Sequence, residues 1–210
     1  MYVPSHFAAD PEAVRGLLAQ PGAADLVTST ADGLVATLLP FLHDTAHGEL
    51  GSLFGHVARN NDQWSRLVSG DALVIVRGPN AYISPTWYAA KAEHGRVVPT
   101  WNYVTAHVYG RLVVHDDPAW VEVLVRRLTD AYESANPRPW TVDEAPPAFI
   151  AGQLRAIVGV EVVISRVEAK LKLSQNRPAT DVPGITEGLL GVGEAAMAQA
   201  VERANAGPQP

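Results

Sequence analysis

The run Trp101 to His115 (WNYVTAHVYGRLVVH) constrains the fold most, because its aromatic and β-branched residues read as one long strand, bent at Gly110. Other strands are available to pair with it. From Ala24 to Leu42 two apolar runs flank Ala31-Asp32-Gly33, and an Asp-Gly step between such runs predicts an antiparallel hairpin. Leu50 to His56, Ala72 to Val76 and Ala156 to Val167 bring the expected strands to about six. Helical signals are fewer. Asp10 to Gln20 places Val14, Leu17 and Leu18 on one face behind an Asp-Pro start, and Asn60 to Ser69 reads as a helix closed by Gly70. Asp117-Pro118 opens the best helix, with Val121, Leu124, Val125, Leu128 and Tyr132 at helical spacing. Thr141 and Glu144 form a capping box ahead of a short helix near Phe149, and Ala195 to Ala204 is a terminal helix followed by a frayed AGPQP. His43 to Gly48 is a turn cluster. Gly78 to Pro99 reads as a long irregular stretch carrying Tyr82, Trp87 and Tyr88, and ordered loops of that length are usually functional.

This pattern predicts a mainly β (α+β) fold, an antiparallel β-barrel decorated with helices. A doubly wound α/β sheet is disfavoured, because strands and helices do not alternate in the first half and no glycine-rich phosphate loop follows a strand.

Composition narrows the chemistry. The 210 residues contain no cysteine, which excludes disulfides, Cys-ligated zinc, iron–sulfur clusters and thiol catalysis. Any redox chemistry must come from a bound cofactor. The formal charge of −6 argues against a dedicated nucleic-acid surface, since phosphate neutralisation supplies most non-specific affinity. The longest apolar stretches, Leu34 to Leu42 and Ile157 to Ile164, fall far short of the roughly 20 residues of a bilayer span. The N-terminal segment lacks the basic start and apolar run of a secretion signal, so the expected compartment is the cytoplasm.

Four constellations could carry chemistry. At the junction GHVARNNDQW (55–64) a strand is expected to give way to a helix, whose free N–H groups beside Arg59 would suit a phosphate. Simple capping by Asn60 or Asn61 explains the same residues. His56 at a pocket wall could ligate haem iron or bond to a cofactor, or be satisfied by a backbone group. The segments Tyr82 to Tyr88 and Val98 to Tyr103 set five aromatic residues among Ser, Thr and Asn, which suits stacking on a planar ring or a dimer interface. Lys170 to Arg177 (KLKLSQNR) alternates as an amphipathic strand, and edge protection explains its lysines but not the Ser-Gln-Asn-Arg run. No histidine pair has metal-ligand spacing, no Gly-x-Ser-x-Gly elbow is present, and no general acid or base can be assigned.

Five motifs in order, MYVPSHF, GHVARNNDQW, GPNAYISPTWY, VPTWNYVTAHVYG and KLKLSQNR, resemble the PaiB family, described as FMN-binding negative transcriptional regulators. The resemblance runs from Met1 to about Arg177. It implies an FMN-binding split β-barrel, PNPOx-like, over 1–177, with 178–210 as a C-terminal extension of open role. It further implies a homodimer with a flavin in each of two clefts at the interface. On that similarity Thr37 and Leu38 would meet the flavin ring, and His56, Arg59, Asn60 and Asn61 would hold the phosphate and ribityl chain. Trp101 and Asn102 would come from the partner subunit, and Lys172 and Gln175 would close the site. The chain departs from the family's usual Asn-Pro-Gln-Trp at Asn61-Asp62-Gln63-Trp64, and Leu38-Leu39-Pro40 lacks the histidine many relatives carry before Leu-Pro. Piperazate synthases also resemble PaiB proteins, and in that alternative haem replaces FMN with His56 as iron ligand in N–N bond formation. A third expectation is a non-enzymatic regulator acting through a protein partner or metabolite, without direct DNA contact.

Overall fold

The computed structural model describes residues 1–207; the end of the AGPQP segment lies outside the described residues. Seven strands, β1 (Ala23–Thr30), β2 (Gly33–Pro40), β3 (Leu42–Asp44), β4 (Ser52–Ala58), β5 (Leu67–Ile83), β6 (Thr100–His115) and β7 (Ile157–Lys172), form one sheet in the order β2-β1-β5-β6-β7-β4-β3. The registered pairings β1–β2, β1–β5, β3–β4 and β4–β7 are all antiparallel. Among the described residues there are six α-helices: α1 (Pro11–Ala19), α2 (Ala90–His94), α3 (Pro118–Glu133), α4 (Pro147–Arg155), α5 (Val182–Gly191) and α6 (Ala195–Asn205). None is long and apolar enough to cross a membrane.

The hairpin forms where Asp32-Gly33 directs it. Thr30 pairs with Gly33, and Ala23 with Pro40. Helix α3 starts at Pro118 with the Asp117 carboxylate accepting the Ala119 N–H at 3.2 Å, and it buries Val121, Leu124 and Leu128. The Thr141–Glu144 capping box is present, but it closes a single 3-10 turn, and α4 begins beyond it at Pro147.

Several expectations are corrected. Asn60 to Ser69 is not a helix: it contains only a 3-10 turn, Asp62–Trp64, and β5 already begins at Leu67 because Leu67 pairs with Thr30. The start of the expected irregular stretch at Gly78 to Pro99 is strand, since β5 continues to Ile83, and a 3-10 turn (Pro85–Trp87) and α2 lie within the remainder. A short seventh strand, β3, occupies the start of the expected turn cluster. Strand β6 runs unbroken through Gly110, where an added Cβ would collide with the Val163 carbonyl, so the glycine admits a close neighbour. The alternation expected from Lys170 to Arg177 stops with β7 at Lys172, and Ser174 turns the chain with φ +67°.

The chain divides into two compact units. The first comprises 1–14, 77–106 and 168 onward; the second comprises 15–76 and 107–167. In the second unit Leu26, Phe41, Leu53, Val74, Val108 and Val121 are fully buried. The first unit buries Ile83, Ile185, Leu189, Met197 and Val201. Its α5 carries Gly184 and Gly188 one turn apart, and a Cβ at either would collide with Trp87. Those glycines form the groove in which Trp87 lies.

Candidate functional site

The expected site residues fall into two groups. In the second unit Gln63, 1% exposed, is a hub: its amide donates to the Leu26 carbonyl at 3.1 Å, the Thr28 hydroxyl at 2.9 Å and the Val35 carbonyl at 3.3 Å. Its Oε1 accepts the Thr37 hydroxyl at 2.5 Å, and that hydroxyl oxygen accepts the Asn61 amide at 2.9 Å. The Asn61 Oδ1 in turn caps the 3-10 turn through the Gln63 N–H at 3.0 Å. Thr37 and Asn61 are thereby brought together and fixed in orientation. Leu38 follows on β2, 64% exposed, and Asn60 is exposed in the turn after β4.

Arg59 is committed elsewhere. Its Nη1 and Nη2 donate to the Asp116 carboxylate at 3.2 and 2.5 Å, and its Nε donates to the Arg155 carbonyl at 2.8 Å. Hydrogen bonding to Asp116 raises the Arg59 pKa, and the same contact lowers that of Asp116. The expected phosphate seat at a helix start therefore has no helix behind it, and its arginine already holds a carboxylate.

His56 lies on β4 opposite Gly159 of β7, on the face it shares with Ser52 and Phe54. Its Nδ1 is buried with no hydrogen-bond partner. Burial lowers its pKa, so the imidazole is neutral at pH 7 with a lone pair or N–H unsatisfied. Nearby residues on that sheet face are closed off: Ser52 donates to Glu161 at 2.9 Å, and the other Glu161 oxygen meets His115 Nε2 at 2.9 Å.

The first unit holds Trp101, Asn102, Lys172 and Gln175. The Trp101 indole, 51% exposed, donates to Asn80 Oδ1 at 3.2 Å and meets Tyr82 edge-on at 6.2 Å between centroids. Asn102 is fully buried; its amide donates to the Ser174 hydroxyl at 2.8 Å, and its Oδ1 has no partner. Gln175 is turned inward, accepting the Leu173 N–H and donating to the Leu171 carbonyl, both at 2.7 Å. It shapes the turn instead of offering its amide to a ligand. Lys172 donates to the Thr100 hydroxyl and, at 2.8 Å, to the Trp101 carbonyl.

Sequence reasoning passed over Gln63 as a hub; it placed Lys170 beside Lys172 on one strand face but read the lysines as edge protection. Lys170 Nζ lies 5.5 Å from the Tyr103 ring, and the Arg177 guanidinium lies 4.5 Å from the centroid of Tyr88. The period-two spacing of Lys170 and Lys172 was the available signal.

Sheet order and flanking helices define a split β-barrel, PNPOx-like. Residues 1–166 match the sequence family described as "Putative FMN-binding domain", and the chain belongs to that family. It is 32% identical over 191 residues to "Protease synthase and sporulation protein PAI 2" of Bacillus subtilis (strain 168), covering 90% of this chain and 89% of that protein. The PaiB resemblance is thereby established. Among solved structures, the flavocytochrome Anf3 from Azotobacter vinelandii superposes with a TM-score of 0.56 at 16% identity, covering 81% of this chain and 72% of that one. The FAD and heme binding protein from Mycobacterium smegmatis gives 0.53 at 19% identity, covering 80% and 74%. These two likenesses concern the fold.

Proposed function

We propose that the protein is a homodimeric, PaiB-like flavin-binding redox protein with FMN as its cofactor. The observation that carries this reading is His56: a part-buried, neutral imidazole with a buried, unsatisfied Nδ1, inside a domain of the FMN-binding family. A buried polar atom without a partner is costly, and a cofactor that bonds to it removes the cost. The Thr37–Asn61 pair and the exposed Leu38 suit the ring and ribityl portions, and the free Asn60 serves the phosphate better than the committed Arg59. Flavin supplies hydride or electron transfer, and the protein's share is to position it and set its electrostatics.

The dimer is supported by one sheet face of the second unit. Leu38, Asp25 and Ile75 stand opposite one another, as do Ala36, Val27 and Leu73, giving a face that is apolar but for Asp25 and Ser29 and that ends on Leu34, 78% exposed. Such a face marks an interaction surface. A regulatory role through a protein or metabolite is compatible with this reading, and the charge of −6 disfavours DNA as the partner.

Haem is the second reading, favoured by the same neutral imidazole, and the two fold neighbours' names join flavin with cytochrome or heme. The test is an absorption spectrum of purified protein titrated separately with FMN and haemin. Bands at about 370 and 450 nm support FMN, and a Soret band at about 400 nm that vanishes in His56→Ala supports haem. Failure to bind either ligand overturns both readings.

A further inference from the structure

The last turns of α1 and α3 both lie in the second unit and end on one cavity of about 340 Å³. Its walls are Gln20 and Pro21 after α1, Phe41 and Leu42 at the start of β3, and Tyr132 and Ser134 at the end of α3, with small residues between them. Among the described residues no charged side chain lines it. Both lining hydroxyls spend their protons on the protein: Tyr132 donates to the Phe41 carbonyl at 3.3 Å and Ser134 to the Ala131 carbonyl at 2.8 Å. Apart from the exposed Gln20 amide, the side chains of the cavity therefore offer apolar surface and acceptors, and a ligand has to bring the donors. The volume is near the low end of small-molecule sites, which suits one ring with a short chain.

The helix ends fix the sign of the charge that fits. The last carbonyls of a helix have no intrahelical donors and carry partial negative charge. Here the Leu17, Leu18 and Ala19 carbonyls of α1 and the Tyr132 carbonyl of α3 receive no protein hydrogen bond among the described residues. Neither last turn contains a basic residue. Arg15 lies a turn earlier and is exposed, and Arg127 is held by Asp44 at 2.7 Å. Helix α3 ends on Glu133, whose carboxylate accepts the Trp140 N–H at 3.0 Å and the Asn136 amide at 2.6 Å. These bonds hold the Glu133 carboxyl below its usual range, so a negative charge stands at the negative end of its helix, where it is unfavourable. An anion would add to that field and a neutral molecule would gain nothing from it; a cation relieves it.

We propose that this cavity binds a primary arylalkyl ammonium, with its nitrogen at the carbonyl ends of α1 and α3 and its ring against Pro21, Leu42 and Tyr132. None of these residues is among those that the PaiB resemblance gives to the flavin, and binding requires neither FMN nor haem.

The test is calorimetry on the full chain with phenethylammonium as probe, 2-phenylethanol and 3-phenylpropionate as its neutral and anionic counterparts, and FMN present or absent. The amine is expected to bind about tenfold or more tightly than the alcohol and the acid not at all, with affinity that falls as salt is raised. Ser134→Lys places a resident ammonium at the same carbonyls, and is expected to abolish binding while leaving the thermal midpoint unchanged or raised. Tyr132→Leu is expected to weaken binding several-fold in protein that circular dichroism shows to be folded. Equal affinity for amine and alcohol overturns the proposal, as does undiminished binding to either folded variant. Competitive displacement of the amine by FMN also overturns it, because the cavity is then the flavin's own. Protein that binds FMN but not the amine removes this inference and leaves the proposed function standing. Protein that binds the amine but neither FMN nor haemin does the reverse.

Discussion

The two units treat their polar groups in opposite ways. In the second, Arg59 is paired with Asp116, Arg66 with Asp32 and Asp62, Arg126 with Glu122 and Asp143, and Arg127 with Asp44, while the buried Gln63 satisfies its amide fully. In the first, Lys170, Lys172 and Arg177 have no carboxylate partner among the described residues, and the buried Asn102 Oδ1, Asp181 Oδ2 and Asn205 Oδ1 have no hydrogen-bond partner there. Among the buried side-chain atoms of the second unit, His56 Nδ1 is the one without a hydrogen-bond partner. Polar groups left open mark points where a ligand or partner can still bond, and His56 is such a point inside the unit that otherwise closes its buried polar bonds.

The largest expected effect tests the scaffold half of this contrast. Phe54 is buried with Leu124 and Leu128, with Trp120 and Leu42 packed against them. Phe54→Ala should cost about 3–5 kcal/mol in urea denaturation, from lost transfer energy plus the cavity. A loss below 1 kcal/mol would show that this core is not the scaffold described. Next is the groove for Trp87: Gly188→Ala drives a Cβ into the indole and should cost about 1–3 kcal/mol despite the better helix propensity of alanine. Gly191→Ala on the same helix meets nothing within 4 Å and is expected to be neutral or stabilising by up to about 1 kcal/mol.

Gln63→Leu sharpens the contrast further. It leaves the Leu26 and Val35 carbonyls and the Thr28 and Thr37 hydroxyls short of partners, at a cost of about 1–3 kcal/mol. The same variant removes the acceptor that orients the Thr37 hydroxyl and should weaken FMN binding in the spectral titration if Thr37 and Asn61 hold the cofactor.

The smallest effect belongs to His56. Its pKa is lowered in the folded state, so as pH falls below the ordinary histidine value of about 6.5 the unfolded chain takes up a proton that the folded chain refuses. Its contribution to stability is therefore complete above that pH and declines below it. Denaturation midpoints measured from pH 7.5 to 5 should fall less in His56→Gln than in the parent protein. Parallel profiles would mean that His56 is not desolvated as the structure shows.

Much of the scaffold was legible in the residues themselves. The Asp32-Gly33 hairpin, the 101–115 strand, and α3 behind Asp117-Pro118 each carry a local signal that nothing distant opposes. The site was legible as motifs but not as bonds. GHVARNNDQW is legible as a motif, yet no local rule says that Asn61 and Gln63 reach Thr37 across 24 and 26 residues, or that Arg59 is claimed by Asp116 at a separation of 57.

Sequence alone determined that the chain builds a β-rich domain without thiol chemistry and that it carries the motifs of an FMN-binding family, because turn chemistry, side-chain alternation and composition are properties of short segments. Tertiary structure decided the rest. Asn60 to Ser69 gave up its helical pattern because Leu67 found a strand partner in Thr30, and backbone pairing into a sheet outweighs a weak local helix preference. The open cations at the end of β7 and the unsatisfied nitrogen of His56 exist only once distant segments have packed and withheld their partners.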